Sequence, residues 1–121
     1  SVKIKPNITE NNIFLITKNK LLVCLDLKTG QILWSKKIYG QIENIKEKKR
    51  NSKLGTAKDL IISGQELLIL TSNGFLLSFN YKNGKLNSFK KISRSKIASR
   101  FSFAEGKMYL MNNNNKLFIY R

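Results

Sequence analysis

The chain has 121 residues, 41% of them apolar, and carries 23 Lys and Arg against 7 Asp and Glu for a net charge of +16, with no histidine. The lack of histidine excludes Ser-His-Asp and Cys-His catalysis, histidine-ligated zinc or haem, and imidazole pH switches. A single cysteine, Cys24, excludes an internal disulfide or a cysteine-rich metal site, and no apolar run approaches the roughly 20 residues of a membrane-spanning helix.

Taken in chain order, residues 3–9 read as a strand, Glu10-Asn11-Asn12 as a turn and 13–17 as a second strand. Lys18-Asn19-Lys20 turns the chain into a third strand over 21–27, and Lys28-Thr29-Gly30 turns it into a fourth over 31–38. Short apolar and β-branched runs punctuated by Asn, Gly and Lys are the mark of successive hairpins. Residues 39–57 interrupt the pattern. Ile42 and Ile45, with Glu43 and Glu47, suit one short helical turn, and the run from Lys46 to Lys53 is strongly basic. Such a stretch is expected to be a long, solvated connection, because surface loops accept insertions at small thermodynamic cost. Its cluster Lys46, Lys48, Lys49 and Arg50 is the candidate patch for a partner, be it an acidic protein, a nascent chain or anionic lipid. Strands follow over 58–63, 66–72, 75–81 and 85–92, and again over 100–104, 107–112 and 116–120.

These are three copies of one unit. Ile13 to Thr17 overlies Leu67 to Thr71 at an offset of 54 residues, and the register carries Asn19 onto Asn73, Leu25 onto Phe79 and Gly30 onto Gly84. A third copy begins at Met108 with an offset of 41. Repetition at this scale means stacked units. Leu21-Leu22-Val23-Cys24-Leu25, Leu67 to Leu70 and Phe75-Leu76-Leu77 are apolar at odd and even positions alike, so each sheet is expected to be dry on both faces. Four-stranded antiparallel sheets of about 40 residues, packed face to face, are the blades of a β-propeller. The expected fold class is therefore all-β, a propeller fragment of about three blades: residues 1–38, 58–92 and an incomplete 97–121. The last lacks its fourth strand, and the basic insertion spans 39–57. The competing architecture is a β-sandwich of ten or eleven strands.

The stretch Leu25-Asp26-Leu27-Lys28-Thr29-Gly30-Gln31-Ile32-Leu33-Trp34 resembles the repeat of the quinoprotein-type, or PQQ-like, propellers, A-x-D-x-x-T-G-x-x-x-W, with Leu25 in place of Ala. The second copy keeps Gly84 but has Asn80, Asn83 and Ser88 for Asp, Thr and Trp. The resemblance implies that Asp26, Thr29, Gly30 and Gly84 shape the turn between the third and fourth strands of a blade, and that Trp34 docks on the neighbouring blade. The C-terminal stretches Ser72 to Phe79 and Glu105 to Arg121 resemble the BamB family of outer-membrane protein assembly factors, and the basic insertion resembles its α-proteobacterial branch. That likeness implies about the last third of an eight-bladed ring on a periplasmic lipoprotein of the outer membrane, a scaffold for the assembly machinery and for unfolded outer-membrane proteins. The Ser1 start suits a cut from a longer chain, and the missing fourth strand suits a ring whose last blade borrows its final strand from the N-terminal part of the chain. Cys24 lies mid-strand and is not the lipid-bearing cysteine, so a membrane link is expected only through an anchor outside this chain.

The alternatives are a PQQ-like repeat protein of other binding function and an enzyme, since quinoprotein dehydrogenases hold PQQ and Ca²⁺ at the centre of a full ring. Here the one Trp belongs to the docking motif and no Asp/Glu/Asn cluster convenes for calcium. Neither cofactor nor metal is expected, and no catalytic residue is assigned. The basic residues recur in nearly every turn, Lys far outnumbering Arg as in AT-rich genomes, so the charge is read as a solvated surface rather than a specific nucleic-acid site.

Overall fold

The computed structural model describes residues 4–94, 96, 102–105, 107–111 and 117–120, with the backbone alone at 103, 110, 111 and 117–120. The expectations that fall on residues 1–3, 97–101, 106, 112–116 and 121 lie outside the described residues.

Among the described residues, three antiparallel sheets follow one another along the chain. The first comprises β1 (Asn7–Ile8), β2 (Asn12–Ile16), β3 (Leu21–Asp26) and β4 (Ile32–Lys37), adjacent in chain order. The second repeats that order with β5 (Ala57–Ser63), β6 (Glu66–Thr71), β7 (Phe75–Asn80) and β8 (Leu86–Lys91). The third pairs β9 (Ser102–Ala104), β10 (Lys107–Met111) and β11 (Leu117–Tyr120), with β10 central. One helix, α1 (Glu47–Leu54), lies in the connection from β4 to β5. The all-β propeller architecture stands, and the strands fall where the hydrophobic runs put them. The first is shorter than expected. Pairing there is confined to Asn7 and Ile8, opposite Phe14 and Ile13, and Pro6 just before them has no N–H to offer a ladder.

The sequence repeat is also a repeat of hydrogen bonds. Asp26 N donates to Gln31 O and Gly30 N to Asp26 O, both at 2.8 Å; Asn80 N donates to Lys85 O and Gly84 N to Asn80 O, again at 2.8 Å. Gly30 and Gly84 share φ 73°, a left-handed conformation that glycine adopts without a Cβ penalty. A bulge follows in each sheet at equivalent places, between Cys24 and Leu25 and between Ser78 and Phe79. At the other end of the strands, Thr17 Oγ1 accepts from Leu21 N at 3.2 Å and Thr71 Oγ1 from Phe75 N at 3.1 Å. The faded second copy has kept the geometry while losing the motif letters.

The core lies between the first and second sheets. Phe14, Leu22 and Cys24 from the first meet Leu60, Leu67, Ile69, Leu77 and Phe79 from the second, all 2% exposed or less. The opposite face of the second sheet packs Leu70 and Leu76 against Met108 of the third. The second sheet's central strands β6 and β7 are dry on both sides, as their unalternating sequence predicts, whereas the edge strand β8 is mostly exposed. The first sheet is buried on one side; across its other face the register aligns Ile8, Ile13, Leu25 and Ile32 in one row, and Ile8 and Ile32 are 67% and 65% exposed. Cys24 is a core residue, its thiol pushed up by burial and then by the charge of Asp26.

The connection corrects the expectation of a solvated loop. Tyr39, Ile42, Ile45 and Leu54 are all buried in the main core. The helix begins two residues after Ile45 rather than containing Ile42 and Ile45. Those two residues instead plug the space between sheets, and eight polar-rich residues then form α1 with Leu54 alone turned inward.

Candidate functional site

Two features carry the residues singled out from the sequence: the joint between the first two sheets, and the end of the sheets where α1 sits.

The joint starts at the β3–β4 turn. Asp26 Oδ2 accepts from Thr29 N and from Thr29 Oγ1, each at 2.8 Å. These two bonds, the backbone one foremost, hold the Asp26 carboxyl below the ordinary aspartate range. They favour the folded turn above the ordinary value of about 3.9 and are lost as pH falls through the lowered folded value. The Thr29 amide resonance is therefore expected to stay put on acidification to about pH 4 and to shift only below it. A shift centred at or above the ordinary aspartate value would contradict this account of the turn.

The turn aims β4 so that Trp34 crosses to the second sheet. Its Nε1 donates to Tyr81 O at 3.2 Å, and its ring lies 6.3 Å from that of Phe14, which meets Tyr81 edge-on at 6.5 Å. Aromatic trios of this kind add about 0.5–1.5 kcal/mol per pair beyond area burial. A Cβ at Gly84 would sit 2.6 Å from Trp34 Cε3 and Cζ3, so Gly84 serves both a left-handed turn and a close approach by the indole. Three of the five motif residues, Asp26, Thr29 and Gly30, form the turn; Trp34 and Gly84 meet across the joint.

Two further contributors carry no signature in the sequence. Gln41, in the connection, donates through Nε2 to Gly84 O and accepts at Oε1 from Leu86 N, both at 2.8 Å, clamping the second sheet next to Trp34. Asn7 Nδ2 donates to Leu60 O, linking β1 to β5. Neither sits in a local pattern; each is an amide in an extended or irregular segment, defined only by what lies across from it.

At the other end, α1 is fastened to the β6–β7 turn. Asn73 Nδ2 donates to Ser52 O and Lys53 O at 3.1 Å, and Asn73 N donates to Leu54 O at 3.3 Å. These are the terminal carbonyls that a helix leaves without internal partners. Tyr39 Oη donates to Gly55 O at 2.8 Å, and burial pushes the Tyr39 hydroxyl's pKa well up. The candidate patch is thereby held in place. Lys46, Lys48 and Lys49 are exposed, whereas Arg50 is half-buried and donates from Nε to Ile45 O at 3.0 Å. Between the β2–β3 turn, the end of β4 and α1 is a cavity of about 260 Å³, lined by Asn19, Lys20, Lys37, Tyr39, Glu47 and Arg50 among others. Among the described residues, no group of three or more Cys, Asp or Glu is placed to hold a metal ion, and no helix is long and apolar enough to cross a membrane.

No family model and no curated protein matches the sequence. Solved structures do match in shape. The crystal structure of BamB from Moraxella catarrhalis superposes with a TM-score of 0.69 at 11% identity, over 95% of this chain and 31% of that one. The quinohemoprotein alcohol dehydrogenase ADHIIG from Pseudomonas putida HK5 gives a TM-score of 0.67 at 12% identity, over 93% of this chain and 17% of that one. The computationally designed Ika4 protein gives 0.65 at 13% identity, over 95% of this chain and 62% of that one. At such identity the likeness defines a fold, that of a PQQ-like β-propeller, and the chain spans less than a third of the BamB chain.

Proposed function

We propose that the chain is part of a non-catalytic binding propeller of the BamB type, acting as a scaffold for outer-membrane protein assembly on the periplasmic side of the outer membrane. The observation that carries the reading is the use made of the motif. Asp26 is bonded to Thr29, and Trp34 and Gly84 join one blade to the next, which supports a reading in which the repeat's polar and aromatic groups build a binding scaffold. The BamB-like C-terminal stretches supply the type, and through it the partners: the assembly machinery and unfolded outer-membrane chains, which pair readily with exposed strand edges.

The dehydrogenase neighbours support a second reading, a PQQ-dependent enzyme. Adding PQQ with Ca²⁺ is expected to give no saturable difference spectrum. Saturation at micromolar quinone would sink the scaffold reading in favour of the enzyme.

A further inference from the structure

Charge is distributed unevenly between the two ends of the first two sheets. At the end away from α1, the β1–β2, β3–β4 and β5–β6 turns and the residues beside them carry Glu10, Asp26 and Glu66 against Lys28, while the β7–β8 turn lies against Lys36 and Gln41 through Gly84. At the α1 end, Lys18 and Lys20 occupy the β2–β3 turn, Lys36 and Lys37 end β4, and Lys90 and Lys91 end β8. The connection adds Lys46, Lys48, Lys49, Arg50 and Lys53 against Glu43 and Glu47. The basicity that looked evenly spread along the sequence is gathered by the up-and-down topology, because alternate turns go to opposite ends. A field of one sign over one face steers and holds a partner of the other sign.

We propose that the α1 end is a docking face for an acidic segment of a partner protein, with the cavity between Lys20, Lys37 and Arg50 receiving a carboxylate. The proposal rests on the binding-propeller reading and names the chemistry of its partner. Three cations converge on a recess of about 260 Å³, whose wall also carries the amides of Asn19 and Asn51 and one acid, Glu47. Arg50 is fixed there by its bond to Ile45 O, so its guanidinium is oriented before a ligand arrives, and charge-assisted bonds from a pre-set guanidinium are the strong kind. A membrane surface suits the face less well. Interfacial helices sink an apolar face into the bilayer, and the sole apolar residue of α1, Leu54, is 0% exposed. Single-stranded nucleic acid needs aromatic rings for base stacking, and at this end Tyr39 and Phe75 are 5% and 6% exposed, with Lys91 Nζ 5.6 Å from the Phe75 ring centroid.

The test is fluorescence anisotropy with a labelled polyglutamate peptide at moderate salt. Lys20→Gln with Lys37→Gln is expected to weaken binding about tenfold, the upper range for two partly desolvated ion pairs. Lys28→Gln removes a charge from the far end, at the β3–β4 turn, and is expected to change it less than about twofold. Should the first pair lower the melting temperature, Lys48→Gln with Lys49→Gln probes the same face at exposed positions and is expected to weaken binding severalfold. Equal losses from both ends would overturn the proposal, since attraction would then be diffuse. So would phosphatidylglycerol vesicles that bind and lose affinity with the Lys20 and Lys37 changes while the peptide does not bind. Quinone uptake tests the scaffold reading and peptide binding tests this face, so either can fail alone.

Discussion

Gly84→Ala is expected to destabilise the protein by about 2–4 kcal/mol, whereas Gly30→Ala, at the equivalent place in the preceding repeat, is expected to cost about 1 kcal/mol. Both glycines have φ 73°, so both substitutions meet the same left-handed strain. They differ in what surrounds them. A Cβ at Gly30 meets nothing within 4 Å, whereas one at Gly84 runs into the Trp34 ring at 2.6 Å and Lys36 Cγ at 2.9 Å. The lysine can swing aside. The indole is held by its bond to Tyr81 O and by Phe14, so it gives way only by loosening the joint between sheets. A double-mutant cycle separates the two terms. In a Trp34→Ala background, Gly84→Ala should cost only the backbone term, leaving a coupling of about 1–3 kcal/mol. Urea midpoints for the four proteins of the cycle and for Gly30→Ala measure it. Equal costs for the two glycines would mean that Trp34 does not press on the turn.

This joint shows what could be read from the sequence and what could not. Asp26, Thr29 and Gly30 lie within five residues and answer to one another through short-range bonds, so their pattern specifies their geometry. The pairing of strands was legible for the same reason: apolar runs and turn residues alternate at hairpin spacing, and the offset from Gly30 to Gly84 fixes equivalent turns. The docking of Trp34 followed from the family's repeat, but its acceptor, the Tyr81 carbonyl, is set by the placement of the next sheet. Gln41 was invisible, since a neutral amide in a connection has no signature until Gly84 O and Leu86 N stand opposite it. The polarity of charge was hidden for a topological reason. Counting lysines along the chain mixes turns that go to opposite ends of the sheets.

The sequence points to the wrong residues for the helix because α1 has almost no hydrophobic period. Glu47 to Leu54 contains one apolar residue, so the pair Ile42 and Ile45, three apart, drew the helical reading to itself. A better signal was present at the far end: Leu54 followed by Gly55, a glycine just past a last apolar residue, with Lys53 in the final turn. An isolated helix of this length is marginal in water. What maintains α1 is the β6–β7 turn, through Asn73. In the repeat that asparagine overlies Asn19, which lines the cavity beside the helix.

Gly55→Ala is accordingly expected to release α1 and to cost about 3 kcal/mol or more. Gly55 has φ 84° and ψ −150°, a region open essentially to glycine alone. An added Cβ would also collide with Ser72 Oγ, which accepts from Thr56 N at 3.0 Å, and would approach Asn73 Cγ to 3.1 Å. Relief by rotating Ser72 and shifting Asn73 breaks the bonds that hold Ser52 O and Lys53 O, so backbone strain and uncapping act together. Asn73→Ala removes the side-chain bonds alone and should cost about 1–2 kcal/mol. Gly64→Ala, at φ 59° with nothing within 4 Å of the new Cβ, should cost about 1 kcal/mol. Amide hydrogen exchange localises the effect: in Gly55→Ala, protection is expected to fall across residues 47–54 while β6 and β7 keep theirs. Because α1 supplies Arg50 and one wall of the recess, the same substitution should weaken polyglutamate binding. Unchanged protection across 47–54 would mean that something other than the Gly55 conformation and the Asn73 bonds secures the helix.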